Sequence, residues 1–155
     1  MADEFMAAGI GVFATLAGVI TEQLLSSRRE TRASRSRFRE ALSAVIADLQ
    51  NTLAGFRRSK TYLPSLGSIE ALKSSGLLRE LSPQLAADLM NCGLALELIK
   101  QASTLHHQSC LATMANPRSE WDLRATAEER NSLIEEQVKI LPMIITKLED
   151  ALSAQ

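Results

Sequence analysis

Residues 5–21 read FMAAGIGVFATLAGVIT, and residues 28–39 read RRETRASRSRFR. The first stretch holds no charged side chain; the second holds six arginines, Arg28, Arg29, Arg32, Arg35, Arg37 and Arg39. Asp3 and Glu4 sit on the other side of the apolar run. Basic residues beside a membrane span stay on the cytoplasmic side, so this asymmetry predicts an anchor with its N-terminus outside. As a helix rising about 1.5 Å per residue, the run covers roughly 26 Å against a hydrocarbon core of ~30 Å. Leu24 and Leu25 extend it. A secretory signal needs a basic beginning, where this chain places Asp3 and Glu4. A helix buried on every face by its neighbours is the remaining alternative.

Within the run, Ala7, Gly11, Ala14 and Gly18 recur at steps of four, three and four, along one side of a helix. Such stripes let helix backbones approach closely where lipid offers no hydrophobic incentive to pair, which predicts self-association through the anchor. The arginines that follow are read as a topology and anionic-lipid contact, each cation near the surface contributing about 1 kcal/mol. A basic helix also neutralises phosphates. No groove-reading motif accompanies these arginines, however, and Trp121, Tyr62 and the four phenylalanines are scattered rather than interleaved with them. Nucleic acid is therefore not predicted as a partner.

The rest of the chain suits one domain with a single core. Net charge is −1, yet residues 22–60 carry nine basic and four acidic side chains and residues 119–155 four basic and eight acidic. The two regions can attract each other across a bundle, or the basic one can lie against anionic lipid, which its place beside the span favours. Cys92 and Cys110, too far apart for a CxxC motif, read as reduced thiols.

Periodicity is helical throughout, with no strand-like alternation. Phe38, Leu42, Val45, Leu49, Leu53 and Phe56 predict one helix, continuous with the anchor or adjoining it and ending near Arg57, Arg58 and Lys60, before Pro64 and Gly67. Ser68 is expected to cap a short helix through Ser75, with Gly76 breaking it and Leu77, Leu78 and Leu81 in a further turn. Ser82 before Pro83 marks a helix start. Leu85, Leu89, Cys92, Leu96, Ile99, Ser103, His106 and Cys110 then recur at heptad spacing to about Ala115, and Asn116 with Pro117 makes a turn. A last helix from about Ser119 carries the seam Ile134, Val138, Leu141, Ile145, Leu148 and Leu152, which requires a helical partner. Pro142 inside it is expected to kink or loosen one turn.

The predicted fold is all-α: a single transmembrane helix over residues 1–27, then a small antiparallel helical bundle over 28–155. That bundle comprises a basic juxtamembrane helix at 28–60 and further helices over 68–155.

No catalytic motif appears at diagnostic spacing. His106, His107 and Cys110 form the one cluster of metal-ligand types, short of the four ligands of structural zinc even with Cys92; they read as seam positions. Cysteine–histidine nucleophilic chemistry needs an orienting third group and an anion-stabilising pocket, and neither is visible. Helical-bundle ribonucleases of the HEPN type place an arginine a few residues before the histidine, where this chain has Lys100. Glu128, Glu129, Glu135 and Glu136 read as a solvated face. No catalytic residue, metal or cofactor is assigned.

Residues 5–25, the Ser-Arg-Arg-Glu run at 27–30 and the helical remainder resemble a loose class of small bacterial single-pass membrane proteins with cytosolic helical domains. The resemblance implies an inner-membrane location with the C-terminal domain cytoplasmic. Some proteins of this plan serve phage defence or membrane disruption. The leading expectation is a non-enzymatic membrane-anchored homo-oligomer that contacts lipid and recruits a protein partner. A small pore-forming effector, and a soluble helical binding protein or motif-less nuclease, are the alternatives.

Overall fold

The computed structural model describes the backbone of residues 2–115 and 120–154 and the side chains of residues 26, 29–114 and 123–154. Over these residues the protein is helical, without a strand. Helix α1 spans Ala2–Arg58, α2 Gly67–Ser74, α3 Pro83–Ala115 and α4 Glu120–Ser153, with a 3-10 turn at Leu77–Glu80 between α2 and α3. The chain divides into two compact units, Met1–Arg37 and Phe38–Gln155. The expected anchor and the amphipathic helix after it are thus parts of one helix. The side chains of 5–25, with the stripe Ala7, Gly11, Ala14 and Gly18, lie outside the described residues, as does that of Arg28. Among the described residues no helix is long and apolar enough to cross a membrane.

The second unit is organised by one buried cluster. Helix α1 contributes Phe38, Leu42, Val45, Ile46, Leu49 and Phe56, α3 contributes Leu85, Leu89, Cys92, Leu96 and Ile99, and α4 contributes Ile134, Leu141, Ile144, Ile145 and Leu148. Ile69 and Leu72 of α2, with Leu81 after the 3-10 turn, complete it. Three- and four-residue spacing places each set on one side of its helix, and fully burying one such side chain stabilises the fold by about 1.5–3 kcal/mol.

Polar pairs at the rim fix the helix directions. Gln50 donates to Glu149 at 3.0 Å and Lys60 to Glu135 at 2.9 Å, so α4 runs antiparallel to α1 within this unit. Lys147 meets Asp88 at 2.7 Å and Thr126 meets His106 at 3.2 Å, so α4 also runs antiparallel to α3. Helices α1 and α3 therefore run in the same direction. This corrects the expectation that successive main helices alternate. The physical reason is the connection over residues 59–82, long enough to return along the bundle before α3 begins. Lys60–Glu135 also joins the basic region to the acidic one across the bundle.

The helix ends follow local chemistry. Helix α1 closes with Arg57 and Arg58 in its last turn, where cations complement the carbonyl end. The chain then folds the Tyr62 ring over Gly55, where a Cβ would collide with it. Tyr62 meets Phe56 edge to face, centroids 5.9 Å apart. Helix α2 is capped differently from expectation: Leu66 occupies the N-cap and its carbonyl accepts from Glu70. Ser68 lies inside the helix, its hydroxyl buried without a partner. Gly76 adopts φ 72°, the left-handed conformation that favours glycine, and ends this segment as anticipated. Ser82 accepts from the Leu85 amide at 3.3 Å, with Pro83 opening α3. The turn expected at Asn116 and Pro117, and the start near Ser119, lie outside the described residues. Helix α4 continues through Pro142.

Candidate functional site

The seam Ile134, Val138, Leu141, Ile145, Leu148 and Leu152 finds its helical partners inside the chain. Four of the six are buried, and Val138 and Leu152 pack partly buried against the same cluster. These residues build the core and leave little surface for another molecule.

Of the basic cluster, Arg29, Arg32, Arg35, Arg37 and Arg39 are exposed, and every position from 29 to 37 is exposed with them. Phe38, next along α1 after this exposed stretch, is buried. A helix segment polar on all sides has no core-facing stripe of its own. Its charges are accessible to anionic groups in solution or at a lipid surface.

The histidine–cysteine cluster is a local hydrogen-bonded group between α3 and α4. His106 pairs through Nδ1 with the Thr126 hydroxyl and through Nε2 with Cys110 Sγ at 3.7 Å. Burial pushes its pKa down, and the nearby Arg130 guanidinium adds to that, so the neutral ring is favoured. No group of three or more His, Cys, Asp or Glu that could hold a metal ion occurs among the described residues. Cys92 is a core residue whose thiol burial raises to about 11, which removes thiolate character near neutral pH.

Two features were not foreseen. Arg130 is buried, and its Nε lacks a hydrogen bond; the seam of α4 passes one turn away at Ile134, and the aliphatic stem of an arginine can lie along such a surface. The second is larger. Helix α3 has an outward row as apolar at its centre as its inward one: Leu94 is 62% exposed, Leu98 52% and Leu105 55%. Leu111 and Met114 are exposed farther along the same helix. An ordinary surface helix buries one stripe and presents polar residues on the other, whereas the outer side of α3 presents leucines to solvent. A signal existed in the sequence, the steps of four between 94 and 98 and of seven between 98 and 105, offset from the inward heptad.

Two grooves flank this row. One, of about 330 Å³, lies between α3 and α4 and is bordered by the Asp88–Lys147 ion pair, Cys92, Gln137 and Met143. The Lys147 hydrogen bond holds the Asp88 carboxyl below its usual range. The other, of about 170 Å³, lies between α2 and α3, with Ile69, Lys73, Met90 and Leu94 on its walls. Neither combines a nucleophile with a base and an anion-stabilising pocket.

No family model, no curated protein and no solved structure matches this chain. Its functional reading therefore rests on its own residues.

Proposed function

We propose that this protein is a non-enzymatic, membrane-anchored helical protein that acts as an oligomeric scaffold or partner-recruiting module. In this reading residues 1–27 span a bacterial inner membrane with the N-terminus outside, and residues 28–155 lie in the cytoplasm. The observation that carries it is the sequence of events along α1: an uncharged run at 5–21, six arginines from 28 to 39, and side chains exposed at every position from 29 to 37 ahead of the buried Phe38. Charge placed this way orients a span, and exposed arginines next to it meet anionic headgroups. The apolar outward row of α3 supports the recruiting role, because exposed apolar surface of this kind marks interaction sites.

The test is fractionation of the expressed full-length protein with carbonate extraction, combined with protease access to the C-terminus in spheroplasts and inverted vesicles. Retention in the membrane pellet, with the C-terminus cleaved only in inverted vesicles, is the expected result. Release into the carbonate supernatant would overturn the reading and make residues 5–25 part of a core or a subunit interface.

A further inference from the structure

Arg130 carries its charge into a layer of the bundle that offers it no counter-charge. Lys147 meets Asp88 and Thr126 meets His106, so counting inward along the antiparallel pair from either contact sets Arg130 opposite residues 102–105 of α3. Of these, Ala102 and Ser103 are buried. Ile99 and Ile134, both buried, fill the adjoining layer. The level lies past the end of α1, since Lys60 already meets Glu135. Both polar side chains of the layer are nine-tenths or more out of solvent, Arg130 at 7% exposure and Ser103 at 9%. Neither Arg130 Nε nor Ser103 Oγ has a hydrogen-bond partner.

A guanidinium withdrawn from water is costly unless an opposite charge meets it. Among the described residues no Asp or Glu pairs with Arg130. Its side-chain hydrogen bond, from Nη2 to Asn131 Oδ1, is 3.5 Å long, beyond the ordinary range of such bonds. Water can satisfy an N–H and a hydroxyl, but it brings no negative charge. We propose that Arg130 and Ser103 hold a small inorganic monoanion, of the size and charge of chloride, between α3 and α4. Arg130 Nε–H and the Ser103 hydroxyl donate to it from the two helices. One guanidinium balances one negative charge, whereas sulfate or phosphate brings a further charge that nothing in the layer offsets.

His106, one turn beyond Ser103, reports on the same place. Burial holds its pKa down and the Arg130 charge lowers it further, so the field of the guanidinium reaches the ring. An anion seated at Arg130 offsets that field and lets the pKa of His106 rise. His107 is exposed and registers ionic strength instead. The chain has no other histidine, so each ring can be followed separately. This site goes beyond the function proposed above and stands whether or not residues 1–27 enter a membrane.

The experiment uses the full-length protein in a non-ionic detergent, with isotope-labelled histidine, titrated by NMR in sodium chloride and in sodium gluconate at the same ionic strength. Gluconate is too large to enter the layer. The expected result is a saturable rise of the His106 pKa in chloride, by about 0.5 or more, with His107 unmoved. The urea unfolding midpoint should rise with chloride along the same saturation curve, because the ion binds the folded state. Arg130→Met keeps an apolar stem along the seam and removes the charge, so it should abolish both responses. In gluconate it should fold at least as well as the parent, since an apolar replacement for an unpaired buried charge is neutral or favourable. Ser103→Ala should weaken chloride binding roughly tenfold, and it supplies the check should Arg130→Met fail to fold. Identical titrations in the two salts, as expected if water fills the layer, would overturn the proposal. So would equal shifts at both histidines, the mark of general screening, or a chloride response undiminished in either variant.

Discussion

Helix α1 contains two neighbouring stretches with opposite relations to solvent. From 29 to 37 every side chain is exposed; from Phe38 to Phe56 seven are buried, Phe38, Leu42, Val45, Ile46, Leu49, Thr52 and Phe56. The second stretch is helical because an apolar stripe packs against α3 and α4. The first has no stripe to bury and is helical by continuity, since adding a residue to an existing helix costs far less than nucleating a new one. The difference teaches that one regular element can serve two tasks, one stretch holding a fold together and the other displaying charge.

The comparison breaks most easily at Leu49. Replacing this fully buried side chain, Leu49→Ala, should destabilise the protein by about 2–5 kcal/mol in urea unfolding, through lost burial and a residual cavity. Arg35→Ala, in the exposed stretch, should stay within about 0.5 kcal/mol of the parent. Similar losses for both would show that the exposed stretch belongs to the cooperative core. A smaller effect is expected at Gly55, where Gly55→Ala should cost about 1–3 kcal/mol by forcing the Tyr62 ring aside. An unchanged midpoint would mean that Tyr62 moves freely and that the turn after α1 is not packed as described.

The smallest effect is on pH dependence within the packed unit. Burial lowers the folded-state pKa of His106 below its usual 6.5. Between that lowered value and 6.5 the unfolded chain binds more protons, so stability should be full above about pH 6.5 and decline as pH falls through this window. Unfolding midpoints measured from pH 7.5 to 5 check the slope, which His106→Gln should flatten. Stability that rises on acidification over this range would contradict the assignment.

Much of this packing was legible in the sequence because core burial and helix starts leave local signatures. The α4 seam and the α1 stripe name the buried faces, and Ser82 with Pro83 marks the start of α3. Gly76 marks the break after α2 for the same reason. What escaped depended on tertiary context. Ser68 has the chemistry of a cap, but the turn from Leu66 through Gly67 starts α2 earlier and carries the serine into the helix. The common direction of α1 and α3 depends on how residues 59–82 cross the bundle, which no local pattern encodes. Arg130 counts as surface charge until its stem is seen to be buried. The outward row of α3 was hidden because one heptad in that helix was already accounted for by the inward residues, and the second interleaves with it. The anchor remains a reading of charge and hydropathy alone.

The most direct test of the anchored account compares one position in each part of α1. Nitroxide labels are attached to Phe13→Cys and, separately, to Arg35→Cys in Cys110→Ser protein reconstituted in anionic bilayers, the buried Cys92 staying unlabelled. The account predicts that the label at 13 is accessible to oxygen and shielded from a water-soluble nickel complex, while the label at 35 shows the reverse. A label at 13 reached readily by nickel, or shielded from both reagents as in a protein core, would contradict it.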